Sequence, residues 1–208
     1  MKRATILPLV AFGGLALLAG QAHSLQAGDW VVRGGAHYVS PASDNGELDN
    51  GGPEIEVTGN YRPSISITRM MTDNVGVELL GAAPFRHDIR LDGIGKVAST
   101  KHLPPTLSVQ YQFSPAADLR PFVGLGLNYT NFFSTNTRGA LSDSRMKLDD
   151  SWGLAVQAGI EMKIDESWSV GVEARYIQIE SDVKVDGDKV ATAEINPMAY
   201  GAFIGYRF

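Results

Sequence analysis

Three histidines and the acidic residues near them are the side chains of this sequence with the clearest capacity for chemistry. His87 is followed by Asp88, while His37 and His102 stand apart from it. Imidazole and carboxylate groups bind zinc, but metal ligands on one element follow a short spacing such as His-x3-His, which none of these residues has. His87 and His102 fall in one loop region and could meet at one rim of the fold, where we expect ordinary hydrogen bonds. The sequence therefore predicts no bound metal and no other cofactor.

Hydrolase or acyltransferase chemistry requires a nucleophile, a base and an orienting acid held close together. The residues that match these roles by type alone are Ser134, Ser142, His87 and Asp143. Polar loops commonly contain such residues, so their presence is a weak signal. Gly124-x-Gly126 is no phosphate-binding loop, because it lies in a predicted strand, where glycine leaves room for a neighbour. We therefore expect no enzymatic activity, and a rim enzyme is the least favoured of the functions considered.

The elements that carry these residues are predicted to be strands, and the pattern is clearest in residues 151–180. Apolar side chains occupy every second position there: Trp152, Leu154, Val156, Ala158, Ile160, Met162 and Ile164. After a polar break the same alternation runs from Trp168 to Tyr176. Because side chains of a strand point alternately to its two faces, this segment is predicted to be an antiparallel hairpin. Its other face mixes small residues with opposite charges, which suits a crowded barrel interior, so we expect lipid on the apolar face.

Similar alternation recurs in about eight segments. They cover residues 29–40, 59–71, 75–85, 105–113, 120–133, 151–164, 168–180 and 195–208. The long connections are 41–53, 86–103, 134–150 and 181–194, and they alternate with short turns. This arrangement is typical of bacterial outer-membrane barrels. It predicts an all-β fold, an eight-stranded antiparallel transmembrane up-and-down β-barrel with short periplasmic turns, long extracellular loops and both termini in the periplasm. The alternative is a soluble barrel or β-sandwich, with its apolar face inside and a solvated face rich in Lys, Glu and Thr.

Three sets of residues follow from this assignment. The side chains predicted to line or constrict the lumen are Leu80, Glu78, Phe122, Glu161, Glu173, Arg175 and Phe203, of which the apolar ones are expected in its upper part. The aromatic residues predicted to form girdles at the membrane surfaces are Trp30, Tyr38, Trp152, Trp168, Tyr176 and Tyr206. From Trp30 to Tyr38 the strand would rise about 20 Å along the membrane normal at a tilt of ~40°, close to the ~25 Å apolar band. Tyr206 and Phe208 end the last strand in the manner of a barrel assembly signal.

Residues 1–24 are predicted to be a secretory signal peptide. Lys2 and Arg3 precede an apolar run at 6–19, and small residues follow, which places cleavage after Ala22 or after Ser24. Residues 25–208 would then form the barrel, and the net charge would fall from −5 to about −7. This charge argues against nucleic acid as a partner. The chain has no cysteine, so closed backbone hydrogen bonding must stabilise a secreted fold without disulfides.

Several longer segments, in one order along the chain, carry a family resemblance. They are TDNVGVELL (72–80), PFRH (84–87), HLPPTL (102–107), RPFVGLGLNYT (120–130), LSD (141–143), DSWG (150–153) and GYRF (205–208). Through most of the chain after the leader, the sequence resembles the OmpW family of small eight-stranded outer-membrane barrels of Gram-negative bacteria.

The resemblance implies a passive path for small hydrophobic molecules, which enter from outside and are released sideways into the membrane. Leu91, Ile94 and Leu103 would then line an extracellular hydrophobic entrance, and Leu80 would stand at the constriction. Arg175 occupies a position where the family implies a bulky aromatic side chain, so pairing with Glu161 or Glu173 would close the lumen electrostatically. The implied partners are outer-membrane lipid and lipopolysaccharide, the barrel assembly machinery, small hydrophobic ligands, and a bacteriocin or phage. The alternative is a non-transporting structural or adhesive barrel, or a receptor that acts through its extracellular loops.

Overall fold

The computed structural model describes residues 24–42, 45–46, 48, 53–139 and 142–208. Its strands are β1 (Trp30–Ser40), β2 (Ile55–Val57), β3 (Asn60–Met70), β4 (Val75–Ala82), β5 (Phe85–Leu91), β6 (Gly95–Leu103), β7 (Thr106–Gln112), β8 (Leu119–Thr137), β9 (Met146–Leu148), β10 (Ser151–Lys163), β11 (Trp168–Ile177), β12 (Glu180–Val185), β13 (Asp188–Glu194) and β14 (Met198–Arg207). Within these ranges no helix is long and apolar enough to cross a membrane. The predicted signal peptide lies outside the described residues, apart from Ser24.

Eight of these strands close into an antiparallel barrel. The order around the barrel is β10, β11, β14, β1, β3, β4, β7 and β8, and β8 pairs again with β10. The closed ring satisfies backbone hydrogen bonds without leaving an edge, as a lipid environment requires. Both ends of the barrel chain meet, because Trp30 and Phe208 exchange backbone hydrogen bonds of 3.0 Å. The predicted eight-stranded antiparallel barrel is therefore confirmed.

The barrel wall is apolar outside and polar inside. On β8, Leu127 is 56% exposed, whereas its neighbour Asn128 is 0% exposed. The predicted girdle residues lie on the outer surface, where Trp30, Trp152, Trp168, Tyr176 and Tyr206 are exposed and Tyr38 is half-buried. At the end that carries the termini, the rings of Trp168 and Tyr206 lie 4.8 Å apart between centroids. A soluble barrel would have the opposite polarity, so the alternative drawn from the sequence is excluded.

The remaining strands extend the fold at the end opposite the termini, called here the far end. Residues 86–103 were predicted to be a loop, and this prediction is wrong, because β5 and β6 form a hairpin there. Phe85 begins this hairpin and is buried, although it was predicted to end the preceding barrel strand. Buried Ile89 and Leu91 alternate with exposed Arg86 and Arg90, so the strand is regular but its apolar face points inward.

The predicted loops 134–150 and 181–194 are likewise partly strand. β8 continues to Thr137, β9 follows, and β9 pairs with the β12–β13 hairpin. That hairpin turns at Asp186 and Gly187, whose φ angles are 52° and 102°. Positive φ at both central residues is the type I′ turn that an Asp-Gly pair favours. Of the predicted loop 41–53, residues 43–44, 47 and 49–52 lie outside the described residues.

Candidate functional site

Three buried arginines and three buried glutamates alternate across the lumen, and His37 ends the series; we call these seven side chains the charge ladder. They are, in order of contact, Arg120, Glu161, Arg33, Glu78, Arg175, Glu173 and His37. At its start, Glu161 accepts from Arg120 Nη2 at 3.0 Å and from Arg33 Nη2 at 2.7 Å. Arg33 also approaches Glu78, with Nη1 lying 3.3 Å from Oε2. Arg33 of the first strand thus joins two carboxylates on opposite parts of the wall.

The second half of the ladder is centred on Arg175. Its Nη2 donates to Glu78 Oε1 and to Glu173 Oε2, both at 2.8 Å. Glu173 also accepts from His37 Nε2 at 2.8 Å. The sequence predicted Arg175 to pair with Glu161 or Glu173; the Glu173 contact is present, but the other partner is Glu78. Glu161 is instead held by the two arginines of the first half.

The ladder residues and their contacts involve all eight strands of the barrel. Besides its carboxylate partners on β10 and β4, Arg33 donates to Thr68 on β3 at 3.1 Å and to Gln110 on β7 at 3.3 Å. Its guanidinium also lies 5.5 Å from the ring centroid of Phe122 on β8 and 5.3 Å from that of Phe203 on β14. Three arginines balance three glutamates, and His37 ends the series beside a carboxylate. This charge balance and the many hydrogen bonds offset the desolvation of buried ions.

Phe122 and Phe203 flank this charged series and do not form the apolar upper lumen that the sequence predicted. Each ring covers a glycine of the adjacent strand, Phe122 over Gly159 and Phe203 over Gly171, where an added Cβ would collide with the ring. Their π faces stabilise the Arg33 guanidinium by cation–π contact. Leu80 does face inward and is buried, between Ser66 and Thr106 in register.

Above the ladder, toward the far end, the interior becomes apolar. On β11, Arg175 belongs to the ladder, and Ile177, two residues further along the same face, belongs to a buried apolar cluster. The hairpins of the far end enclose a cavity of about 410 Å³. Typical wall residues are Ile89, Leu91, Val97, Phe132, Val183 and Ala193. Both the volume and the apolar lining are those of a small-molecule binding site.

The three predicted entrance residues do not lie together. Leu91 is buried in the cavity wall. Ile94 is exposed at the β5–β6 turn, and Leu103 is half-buried at the end of β6, opposite Asn131. Neither is part of the cavity wall. Ile94 lies in a turn, and Leu103 follows the inward-facing His102 on β6 and so points to the other face of the strand.

His87 and His102 line the same cavity from neighbouring strands of the far end. Their rings stack with centroids 4.8 Å apart and an interplanar angle of 6°, and both side chains are buried. His87 Nδ1 donates to the Thr58 carbonyl. Burial lowers the pKa of His87, and burial together with the neighbouring His87 holds the pKa of His102 well below its usual range. The two histidines therefore meet, as the sequence allowed.

Metal binding gains no support from this pair. Stacked parallel rings do not converge their lone pairs on one point, and no group of three or more potential ligands occurs among the described residues. Sequence reasoning considered His37 only as a metal ligand, and it missed Arg120 as a member of the ladder. Its signal was available, because Arg120 lies two residues before the inward-facing Phe122.

A closed eight-stranded barrel with an apolar exterior, aromatic girdles and an ion-paired interior defines the class of outer-membrane β-barrel proteins. The OmpW family profile matches residues 26–208, and the chain belongs to that family. Outer membrane protein W of Vibrio cholerae is 38% identical, over 94% of this chain and 97% of its own length.

Two solved structures are also similar. The crystal structure of the outer membrane protein OprG from Pseudomonas aeruginosa superposes with a TM-score of 0.78 at 32% identity, covering 90% of this chain and 98% of that one. The NMR structure of outer membrane protein W from E. coli gives a TM-score of 0.64 at 36% identity, covering 88% of this chain and 99% of that one.

Proposed function

We propose that this barrel gives small hydrophobic molecules a passive path through the outer membrane. The observation that carries the proposal is an apolar cavity of about 410 Å³ that lies beyond a lumen filled by the charge ladder. An apolar molecule is stabilised in the cavity because its surface leaves water there. Continuing along the lumen would separate buried ion pairs and leave their charges uncompensated, which is strongly unfavourable. The molecule therefore leaves sideways, into the lipid.

An interruption of backbone pairing next to the cavity supports sideways release. The β4–β7 ladder ends at Leu80, and the β5–β6 ladder begins only at Phe85. The opposite strand segment, residues 103–105, contains Pro104 and Pro105. Proline has no N–H to donate to a sheet, so few backbone bonds hold this seam closed.

Uptake of an apolar probe tests the path. Cells or liposomes that contain the protein should take up the probe faster than the deletion strain or empty liposomes. Equal uptake would remove the transport proposal. If the barrel is instead an adhesive anchor or a receptor, deletion of residues 134–147 should abolish partner binding and leave uptake of the probe unchanged.

A cross-link tests the seam. If the β4–β7 register continued, Ala83 would face Leu103, so a short bismaleimide should join Ala83→Cys to Leu103→Cys and abolish most uptake. The control is Ala158→Cys with Ala174→Cys, which already face each other between β10 and β11. This second cross-link should leave uptake intact. Equal uptake through both cross-linked barrels would refute an exit at the seam.

The orientation of the barrel in the outer membrane is part of the same proposal. We infer that residues 1–24 are a cleaved leader and that both termini, which lie at the short-turn end, face the periplasm. The far end then faces outward, where it can meet lipopolysaccharide and a bacteriocin or phage. Tyr206 and Phe208 would be recognised by the barrel assembly machinery. The proposed role is passive and includes no catalysis.

A further inference from the structure

The wall of the cavity is mostly apolar, and apart from Lys189 its polar side chains are gathered at one place. His87, His102 and Thr100 lie together there, with His87 opposite Thr100 in the β5–β6 register. His87 Nε2 and His102 Nδ1 are buried and have no hydrogen-bond partner among the described residues. Buried polar groups in native proteins are nearly always paired, and leaving one unpaired is costly. Two such atoms side by side in a ligand-sized cavity therefore indicate a function.

The chemistry of this place is that of a neutral acceptor. His87 Nδ1 donates to the Thr58 carbonyl, so in the neutral ring the proton is on Nδ1 and Nε2 carries the lone pair. Burial lowers the pKa of both rings, and the nearby Arg62 acts in the same direction on His87, while Asp88 opposes it. Both imidazoles are therefore neutral at neutral pH.

We propose that His87 and His102 form the head-group site of the cavity, and that the barrel selects amphiphiles that join an apolar body to one neutral hydrogen-bond donor, such as a hydroxyl. The inference rests on the proposed uptake of hydrophobic molecules and names their chemical class. The hydroxyl of such a molecule donates a hydrogen bond to the free imidazole nitrogen. A hydrocarbon in the same cavity would leave that nitrogen without a partner.

A carboxylate is disfavoured at this site because neither neutral ring compensates its charge. Lys189 also lies in the cavity wall, but its ammonium is 2.7 Å from Asp182 Oδ1. The size of the cavity adds a limit on the apolar body. An apolar cavity of about 150 Å³ holds benzene. The larger volume here suits a medium-chain alcohol or an alkylphenol.

The test uses the full barrel in phosphatidylcholine nanodiscs at pH 7.5, with ring-labelled histidine and labelled Ile and Leu methyl groups. The probes are decan-1-ol, decyl methyl ether, which lacks a donor, and decanoate. From residue 25 onward the chain has three histidines, and His37 in the charge ladder serves as the internal reference. Decan-1-ol should bind roughly threefold to tenfold more tightly than the ether, the range of one net hydrogen bond. It should also shift the ring nitrogens of His87 or His102 while His37 stays unchanged.

Variants assign the preference to the rings. The variant that removes the ring whose nitrogen shifts, His87→Phe or His102→Phe, should bring the affinity for decan-1-ol down to that for the ether, whose own affinity should not change. Lys101→Gln, on the exposed face of β6 beside His102, should keep the preference. Should one phenylalanine variant fail to fold, the other variant and the ring shifts of the unaltered barrel decide.

The outcomes separate this inference from the proposed function. Equal binding of alcohol and ether, with equal shifts of the Ile89 and Leu91 methyl groups, would overturn the head-group site but leave uptake of hydrophobic molecules intact. Tightest binding of decanoate would also overturn it. No shift of those methyl groups with any probe would overturn both proposals.

Discussion

Removing one carboxylate from the charge ladder should destabilise the barrel far more than removing the ion pair to which it belongs. Glu78 is 0% exposed and is shared by Arg175 at 2.8 Å and Arg33 at 3.3 Å. In Glu78→Leu three buried guanidinium groups share two buried carboxylates, Glu161 and Glu173, so one positive charge is left unbalanced. Breaking a buried pair in this way costs about 3–5 kcal/mol.

The double variant Glu78→Leu with Arg175→Met restores the balance. Arg33 then keeps Glu161 at 2.7 Å, and Glu173 keeps His37 at 2.8 Å. Replacing a buried ion pair by apolar groups of similar volume is commonly neutral or stabilising, so the double variant should lie within about 1 kcal/mol of the unaltered barrel.

The assay is the free energy of unfolding in urea, measured in lipid vesicles. Glu56→Gln, an exposed carboxylate on β2, is the matched control and should change stability by less than about 0.5 kcal/mol. A loss below about 1 kcal/mol for Glu78→Leu would refute the ladder as a network of desolvated charges. A double variant less stable than the single one would refute the reasoning about balance.

Three further predictions concern other parts of the fold. Because the pKa values of His87 and His102 are lowered, the unfolded chain binds more protons than the fold below pH 6.5, so stability should fall as pH drops below that value. His102→Phe should flatten this dependence in unfolding measured between pH 7 and pH 5, and an unchanged slope would contradict the burial of these rings. Gly159→Val should lose about 1–3 kcal/mol of unfolding free energy, since its side chain meets the ring of Phe122; a neutral effect would show that the ring moves freely. Trp152 fluorescence should be quenched by brominated lipid, and quenching by aqueous iodide alone would place this residue in water.

The fold of the membrane part could be predicted because every strand there has an apolar face toward lipid and a polar face toward the lumen. Alternation from Trp152 to Ile164 assigns every side chain to lipid or lumen, and the structure agrees. The far end could not be predicted in the same way, since the polarity reverses where water replaces lipid. Ile89 and Leu91 point inward on a regular strand, and the charged residues beside them, Arg86, Asp88 and Arg90, made the segment resemble a loop.

The partners within the ladder could be predicted only in part. Alternation shows that Glu78 and Arg175 face the lumen, but it does not give the height at which each lies. That height depends on the stagger between all eight strands, and the two residues are 97 positions apart. The nearby partner Glu173, two positions from Arg175, could be named from the sequence. The cavity was missed because its walls come from short hairpins, although Asp186-Gly187 was a usable turn signal.

The contacts of Arg33 have a consequence for how the barrel is completed. This side chain belongs to the first strand, yet its neighbours include Glu161 on β10 and Phe203 on β14. Until the two margins of the growing sheet join, these groups keep their hydration shells. We expect water to leave the middle of the lumen when β1 and β14 pair and close the barrel. We therefore expect closure of the β1–β14 seam and desolvation of the ladder to occur together, and a chain that ends before β14 should keep a hydrated lumen.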